Sequence, residues 1–315
     1  MTSIEWTEVT WNPVTGCDQI SAGCDECYAL LMARRLKAMG VAKYQNDGDP
    51  RTSGPGFAVT EHPEALAIPY KWRTPRLVFV NSMSDLFHAK VSEQFVREVF
   101  DVIAATPRHT YQLLTKRPER ARRLADRGLE FPSNLWLGVS VENGAVTHRI
   151  TNLLKTPAAL RFLSVEPMLG PVDLDPFLFP DSCPDGCRCR YPADAVIFEC
   201  PCTGACVGWS PKPALDWVIC GGESGPRARA MHPDWARDLR DQCDAAGVPF
   251  FFKQWGGRDK KAAGRELDGQ IWDQMPAVRG PVPCECACHA QGEHYDRCCQ
   301  DRLCPDCLFY AATEG

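Results

Sequence analysis

Short apolar runs recur along the chain and are separated by segments in which apolar residues return at helical spacing. The six clearest runs are rich in β-branched and aromatic residues and span 76–80, 110–114, 135–141, 160–165, 216–221 and 249–254. Most are apolar on both faces, which is typical of strands buried on both sides in a parallel sheet. We predict a further strand within residues 4–15.

Helical patterns lie between these runs. Apolar residues fall three or four positions apart in segments that span 29–40, 91–107, 146–157 and 232–247, and Gly247 is a natural end for the last of them. Alternating strands and helices indicate an α/β fold. We therefore predict a partial (β/α) barrel of about six or seven parallel strands. A doubly wound open sheet is the alternative.

The spacing of the strands also predicts the domain organisation. Successive strands start 25 to 34 residues apart, except for a step of 56 between residues 160 and 216. We assign 1–172 and 211–278 to the barrel and 173–210 to a cysteine-rich insertion. Residues 279–315 form a cysteine- and histidine-rich extension that resembles zinc knuckles.

A polar cluster follows nearly every predicted strand. In a parallel barrel the carboxyl ends of the strands meet at one mouth, where the active site is built. Each cluster alone is compatible with an ordinary turn or helix cap, but their repetition predicts one polar pocket. The candidate residues in these clusters are Ser82, Asp85, Lys116, Arg117, Ser140, Glu142, Asn143, Glu166, Glu223, Lys253 and Gln254.

Composition and charge exclude some classes of protein. The 315 residues carry a formal net charge of -5, without the basic surplus that is typical of proteins that grip duplex DNA by charge. No span of about 20 apolar residues is present, so we expect no membrane helix. The start of the chain lacks the pattern of a signal peptide, and we expect a cytoplasmic protein.

Cysteine is the outlier of the composition, with 18 residues. Because the cytosol keeps thiols reduced, closely spaced cysteines there indicate metal binding rather than disulfides. Cys220 and Cys243 stand alone and are expected to be buried. The candidate metal ligands form three groups: Cys17, Cys24 and Cys27; Cys183, Cys187, Cys189, Cys200, Cys202 and Cys206; and Cys284, Cys286, Cys288, His289, His294, Cys298, Cys299, Cys304 and Cys307.

The second and third groups favour zinc, since each offers more than the four ligands of a structural zinc site. An auxiliary iron–sulfur cluster is the alternative for the second group. The first group, C-x6-C-x2-C, offers only three ligands. Zinc, or a [4Fe–4S] cluster with one iron free for substrate, would suit three thiolates.

The first group and several later segments resemble a known family. A three-cysteine loop that follows the first strand and ends in Cys27-Tyr28 resembles the radical S-adenosylmethionine (SAM) enzymes, although their commonest spacing is C-x3-C-x2-C. The closest resemblance is to a phage- and prophage-encoded family of radical-SAM-like proteins and spans most of residues 1–277. The segments that carry it are WNPVTGC…GCDECYA (11–29), LSVEPMLGPVDL (163–174), VICGGESGPRARAMHPDW (218–235), PFFFKQWGG (249–257) and ELDGQIWDQMP (266–276).

The resemblance implies a function. Three irons of a [4Fe–4S] cluster would be held by Cys17, Cys24 and Cys27, and the fourth would chelate SAM. One electron from a reductant protein would then cleave SAM to a 5′-deoxyadenosyl radical that abstracts hydrogen from a substrate. The phage association and the zinc modules suggest a nucleotide or nucleic acid as that substrate. The rival interpretation is a zinc-stapled module that binds nucleic acid or protein, and a zinc hydrolase is a third.

The radical SAM hypothesis implies roles for individual residues of the polar clusters. For SAM we expect contacts from Ser82 or Asp85 to the amino group and from Tyr28 to the adenine, unless Tyr28 only begins a helix. The expected partners of the ribose hydroxyls are Ser140, Glu142 and Asn143.

Substrate handling is assigned to the remaining polar clusters. Lys116, Arg117 and Gln254 are the candidates for substrate binding, and an ordinary charged loop is the simpler interpretation of the first two. Glu166, Glu223 and Lys253 are the expected catalytic residues. A salt bridge from Lys253 to either glutamate is the structural alternative.

Overall fold

The computed structural model describes residues 4–178 and 213–276. The chain divides into two compact units, Met1–Met275 and Pro276–Gly315, and every helix and strand given below belongs to the first. Within the described ranges, no helix is both long enough and apolar enough to cross a membrane.

Strands and helices alternate over the described residues. The strands are β1 (Val9–Trp11), β2 (Val14–Thr15), β3 (Thr60–Glu61), β4 (Leu77–Val80), β5 (Thr110–Thr115), β6 (Leu135–Ser140), β7 (Leu160–Val165), β8 (Trp217–Gly221), β9 (Phe250–Gln254), β10 (Glu266–Leu267) and β11 (Gln270–Ile271). The α-helices are α1 (Tyr28–Ala38), α2 (Glu93–Ala105), α3 (Pro118–Asp126), α4 (His148–Leu154), α5 (Asp175–Leu178), α6 (Pro233–Ala245) and α7 (Lys260–Ala263).

Seven of these strands form one parallel sheet in the order β1-β4-β5-β6-β7-β8-β9, which curls into a half-barrel. The spatial order follows the order in the chain. A doubly wound sheet instead reverses its strand order at a switch point, so the alternative fold is wrong. The predicted partial barrel is confirmed, and so is the first strand within residues 4–15.

The two faces of the sheet carry different side chains because successive residues of a strand alternate between faces. One face carries aliphatic residues such as Val80, Leu137 and Val218, which pack with α2 and α6 in the main core. The other carries a second, largely aromatic cluster. Its buried members are Trp6, Phe79, Trp136, Phe162, Trp217, Ile219 and Phe251. These residues fill the inner side of the half-barrel.

Smaller and polar residues follow the aromatic cluster along the same inner face. Gly138 and Ser140 continue from Trp136, Ser164 from Phe162, and Lys253 from Phe251. An aromatic floor therefore lies toward the amino ends of the strands, and a polar mouth lies at their carboxyl ends.

Side chains cap the amino ends of two helices, α2 and α6. Ser92 caps α2 with its side chain, which accepts from the amide of Phe95 at 3.1 Å. His232 caps α6 by accepting from the amide of Asp234 at 3.3 Å.

Cys220 and Cys243 are both fully buried, as expected. The first residues of the predicted insertion, 173–178, pack on the core of the barrel, because Leu174 and Leu178 are buried there.

Gly138 gives a test of the inner packing. A Cβ at this position would lie 2.4 Å from the ring of Phe162, which is fully buried. We expect Gly138→Ala to lower the free energy of unfolding by about 1–3 kcal/mol, because the ring has no free space to enter. Urea unfolding measures the change. Gly144→Ala is the matched control, since its Cβ would meet nothing closer than 3.7 Å. Equal midpoints for the two variants would contradict the packing described.

Candidate site at the mouth of the half-barrel

Residues 16–27, which we call the cysteine loop, connect β2 to α1. Gly16 begins the loop with a φ of +84°, and a Cβ there would lie 2.1 Å from the carbonyl oxygen of Ala58. Only glycine adopts this positive φ readily and also leaves room for the carbonyl of Ala58. Cys17, Cys24 and Cys27 are free, half-buried thiols on this loop. Their position at the carboxyl end of the first strands agrees with the predicted mouth.

The surroundings of the thiols combine burial with nearby cations. Burial, reinforced by the carboxylate of Asp85, raises the pKa of Cys17 to about 12, although Arg117 opposes the change from 3.7 Å. Burial also raises the pKa of Cys27, against the pull of the first amides of α1 and of Lys116. A bound metal would supply the charge that these desolvated thiols need in order to ionise.

Thiolates are the usual ligands of iron–sulfur clusters and are also good ligands for zinc, so the donor set of the loop fits either group. Within residues 4–178 and 213–276, no group of three or more His, Cys, Asp or Glu side chains is arranged to hold a metal ion. The second and third cysteine groups, 183–206 and 284–307, lie outside the described residues.

Glu142 anchors one side of the cysteine loop. Its carboxylate is buried and accepts from the hydroxyl of Ser21 at 2.7 Å. The side chain also packs against Gly23, where an added Cβ would lie 2.4 Å from its Cγ. Arg149 from α4 donates to Glu142 at 2.9 Å, and Lys116 lies 3.7 Å away. The predicted ribose ligand therefore braces the loop.

Arg229 anchors the other side of the loop. Its guanidinium donates to both oxygens of buried Glu223, at 2.5 and 2.8 Å. It also donates to the carbonyl of Ala22 at 2.7 Å and to Asp25 at 3.2 Å. Burial works against the charge of Glu223, but the hydrogen bonds from Arg229 outweigh it and lower the pKa of the carboxyl. The predicted catalytic residue Glu223 is thus held in a salt bridge that spans the mouth.

A third set of contacts fixes Asp18, directly after Cys17. His88 donates from Nε2 to its carboxylate at 3.0 Å, and Lys90 donates at 3.0 Å. Arg117 donates to the backbone carbonyl of Asp18 at 2.8 Å. Arg117, predicted to bind substrate, therefore lies against the first cysteine.

Asp85, Ser82 and Tyr28 share the side of the mouth that follows β4. Asp85 is buried and accepts from the hydroxyl of Thr115 at 2.8 Å and from the amide of Lys116 at 3.0 Å. Ser82 donates to Asn12 at 3.2 Å, and its carbonyl accepts from the hydroxyl of Tyr28. Tyr28 also begins α1, as the structural alternative proposed, while 52% of its surface stays exposed.

Ser140 and Asn143 follow β6 with mainly local contacts. The carbonyl of Ser140 accepts from Arg149 at 2.9 Å, and the side chain of Asn143 accepts from the amide of Ala145 at 3.0 Å. Asn143 therefore caps the short helical turn that follows it, which is the ordinary role that the sequence left open.

Lys253 on β9 and Glu166, which follows β7, form a salt bridge across the end of the intervening strand β8. This is one of the two roles that the sequence left open for Lys253. The ammonium lies 2.7 and 2.9 Å from the two carboxylate oxygens, and both side chains are partly shielded from solvent. Glu166 is close enough for its charge to act on Tyr28, next to Cys27. Gln254 is buried and donates to the hydroxyl of Ser224 at 2.5 Å.

The sequence analysis did not identify Arg149 and Arg229, the cations that pair with Glu142 and Glu223. Arg149 and Arg229 lie on or before helices that pack on the sheet, where charged residues are ordinary. The available signal was that Glu142 and Glu223 closely follow strands buried on both faces, because a carboxylate buried there needs a cation or several donors. Neither arginine follows a strand end directly, so the pattern of polar clusters did not select it.

Arg229 provides a test of the bracing. We expect Arg229→Ala to lower the free energy of unfolding by about 2 kcal/mol, because it leaves the carboxylate of Glu223 buried without its cation. Amide hydrogen exchange in residues 20–26 should accelerate as well. Urea unfolding and exchange mass spectrometry measure the two effects.

Arg227→Ala is the matched control. Arg227 pairs with Glu26 of the same loop at 3.0 Å, but its side chain is 76% exposed, so the loss should stay below about 1 kcal/mol. Equal effects of the two substitutions on stability and exchange would contradict the bracing by Arg229.

The comparisons with known proteins identify the family. The model of the family described as "Protein of unknown function (DUF5131)" matches residues 1–276. No curated protein and no solved structure matches the chain. Because the family match covers the half-barrel and the whole cysteine loop, the chain belongs to the DUF5131 family.

Proposed function

We propose that this protein is a radical SAM enzyme whose [4Fe–4S] cluster is held by Cys17, Cys24 and Cys27. The observation that carries the proposal is the placement of three half-buried thiols on one braced loop at the mouth of a parallel half-barrel. When bound, the cluster and SAM supply the one-electron chemistry that generates a radical, which protein side chains cannot supply.

The chain's own residues prepare the loop for that chemistry. Glu142 and Arg229 fix the backbone around Ser21 and Ala22, the part of the loop that leads into Cys24. In this proposal the three sulfurs converge when the cluster binds. Arg117 lies 3.7 Å from the sulfur of Cys17, and Lys116 acts on Cys27. Both cations favour the thiolate form that metal ligation requires. The proposed role of these two residues is therefore charge compensation at the cluster, in addition to any contact with substrate.

Space for SAM and a substrate is proposed between the cysteine loop and the aromatic floor. The inner face carries small residues there, including Ser140, Ser164 and Gly221. Tyr28 directly follows Cys27, and the charge of Glu166 in the Lys253–Glu166 pair acts on its hydroxyl. In this proposal Tyr28 contacts the adenine, and the ion pair orients substrate or moves a proton.

The remaining assignments extend the proposal. Ser82, Asp85, Ser140 and Asn143 stay candidates for polar contacts to SAM, and Gln254 for a contact to substrate. A reductant protein supplies the electron, and a nucleotide or nucleic acid is the proposed substrate class. Zinc is proposed for the two later cysteine groups, and the cytoplasm as the location.

The decisive experiment is spectroscopic. Protein that is purified and reconstituted without oxygen should show an electron paramagnetic resonance signal of a reduced cluster that shifts when SAM is added. Dithionite and SAM together should yield 5′-deoxyadenosine. The triple variant Cys17→Ala/Cys24→Ala/Cys27→Ala should lose both the shift and the product.

A matched control separates this site from other cysteines. Cys243→Ala removes a fully buried thiol that lies on α6, outside the mouth, and should leave the SAM-dependent shift intact. Any signal that persists in the triple variant belongs to cysteines outside the loop. Zinc at every site, with no response to SAM, would refute the radical enzyme and favour the zinc-stapled binding module.

A further inference from the structure

The guanidinium of Arg265 lies on the inner side of the half-barrel beside β9, the last strand of the sheet. Its Cζ is 5.0 Å from the ring centre of Phe251, a member of the aromatic floor. The backbone on both sides of Arg265 is fixed by Trp255, whose amide donates to Gly264 at 3.3 Å and whose indole donates to Glu266 at 2.7 Å. These two hydrogen bonds fix the backbone that carries Arg265 against β9.

Two nitrogens of this guanidinium have no partner. Nε and Nη2 of Arg265 are buried, and neither makes a hydrogen bond within the described part of the chain. Arginine stays charged at any pH that a folded protein tolerates, so these two N–H groups are donors without an acceptor. The side chain as a whole is half-buried, so the cost falls on these two donors, which lose water without gaining an acceptor.

The two nitrogens also have a particular relation to each other. Nε and Nη2 form one edge of the planar guanidinium, and their N–H bonds point the same way. This edge is the one that grips a carboxylate or phosphate through two parallel hydrogen bonds. The carboxylates described at the mouth are already committed, since Glu142 pairs with Arg149, Glu166 with Lys253, and Glu223 with Arg229. None of these three serves Arg265.

We propose that this edge of Arg265 binds an oxyanion of the substrate, a phosphate or a carboxylate, on the inner side of the half-barrel beside β9. Assigning the anion to a substrate rests on the proposed function, whereas the anion site itself does not. Lys253 lies two residues beyond Phe251 on the same inner face, so Arg265 and the Lys253–Glu166 ion pair lie on the same side of the sheet.

Thermal unfolding of the full chain tests the site with simple probes. Inorganic phosphate and acetate are compared with chloride at equal ionic strength. We expect phosphate or acetate to raise Tm by about 2 °C at roughly tenfold excess over its Kd. Which of the two acts identifies the group that the site prefers. No shift with either anion in the wild-type protein overturns the proposal.

Substitutions locate the effect. Arg265→Gln should abolish the anion-dependent shift, and Arg265→Lys should weaken the affinity about tenfold, because it keeps the charge but loses the two-pronged edge. Arg240→Gln is the matched control. Arg240 also lies over an aromatic ring, 5.4 Å from the centre of Trp272, but it is paired with Asp268 at 2.6 Å. An anion effect that survives Arg265→Gln overturns the proposal.

Two further readouts separate the possible failures. Arg265→Met should leave Tm without added anion unchanged or higher, because it removes two buried donors that have no acceptor. A large decrease would mean that the arginine only supports the fold. If Arg265→Gln abolishes the SAM-dependent cluster signal, the edge binds SAM, and the substrate assignment is wrong. If wild-type protein shows no SAM response but keeps the Arg265-dependent shift, the proposed function fails and the anion site stands.

Discussion

Two buried carboxylates and the arginines that neutralise them hold the mouth of the half-barrel together. Glu142 follows β6 and Glu223 follows β8, so the pairs lie at separate strand ends of one sheet. Each carboxylate contacts the cysteine loop directly or through its arginine. Without Arg149 and Arg229, both carboxylates would be buried charges with too few donors. The conformation of the cysteine loop therefore depends on two ion pairs, Glu142–Arg149 and Glu223–Arg229, whose members all lie outside the loop.

The division of the inner face gives the site its depth. Aromatic residues such as Trp136 and Trp217 fill the lower half of the curled sheet, where their contacts are edge-to-face at about 6 Å. Glycine and serine occupy the following inward positions, Gly138, Ser140 and Ser164. A sheet that continued with large side chains would close the mouth. The change from aromatic to small residues occurs along β6, β7 and β8, at the centre of the sheet.

Much of the fold followed from the sequence, because strands buried on both faces give apolar runs and the helices between them repeat at helical spacing. The strand order also followed, since short βα connections keep neighbours in the chain adjacent in space. The partners of charged residues did not follow. Arg229 reaches Ala22, and Arg149 reaches Glu142, through contacts that only the folded sheet creates. For Lys253, its place in an aromatic run left two roles open, catalysis or a salt bridge to Glu166 or Glu223, and the fold selects Glu166 as the partner.

The bracing of the cysteine loop has a consequence for how a metal centre would be gained and lost. Small zinc modules lose their shape when the metal leaves, because the metal supplies their folding energy. Here the backbone at Gly16 packs directly against the carbonyl of Ala58. Side chains near the ends of several strands also hold the loop by hydrogen bonds. Oxidative damage to a cluster on such a loop would leave a folded, empty acceptor. Repair would then need only delivery of new iron and sulfide, without synthesis of a new chain.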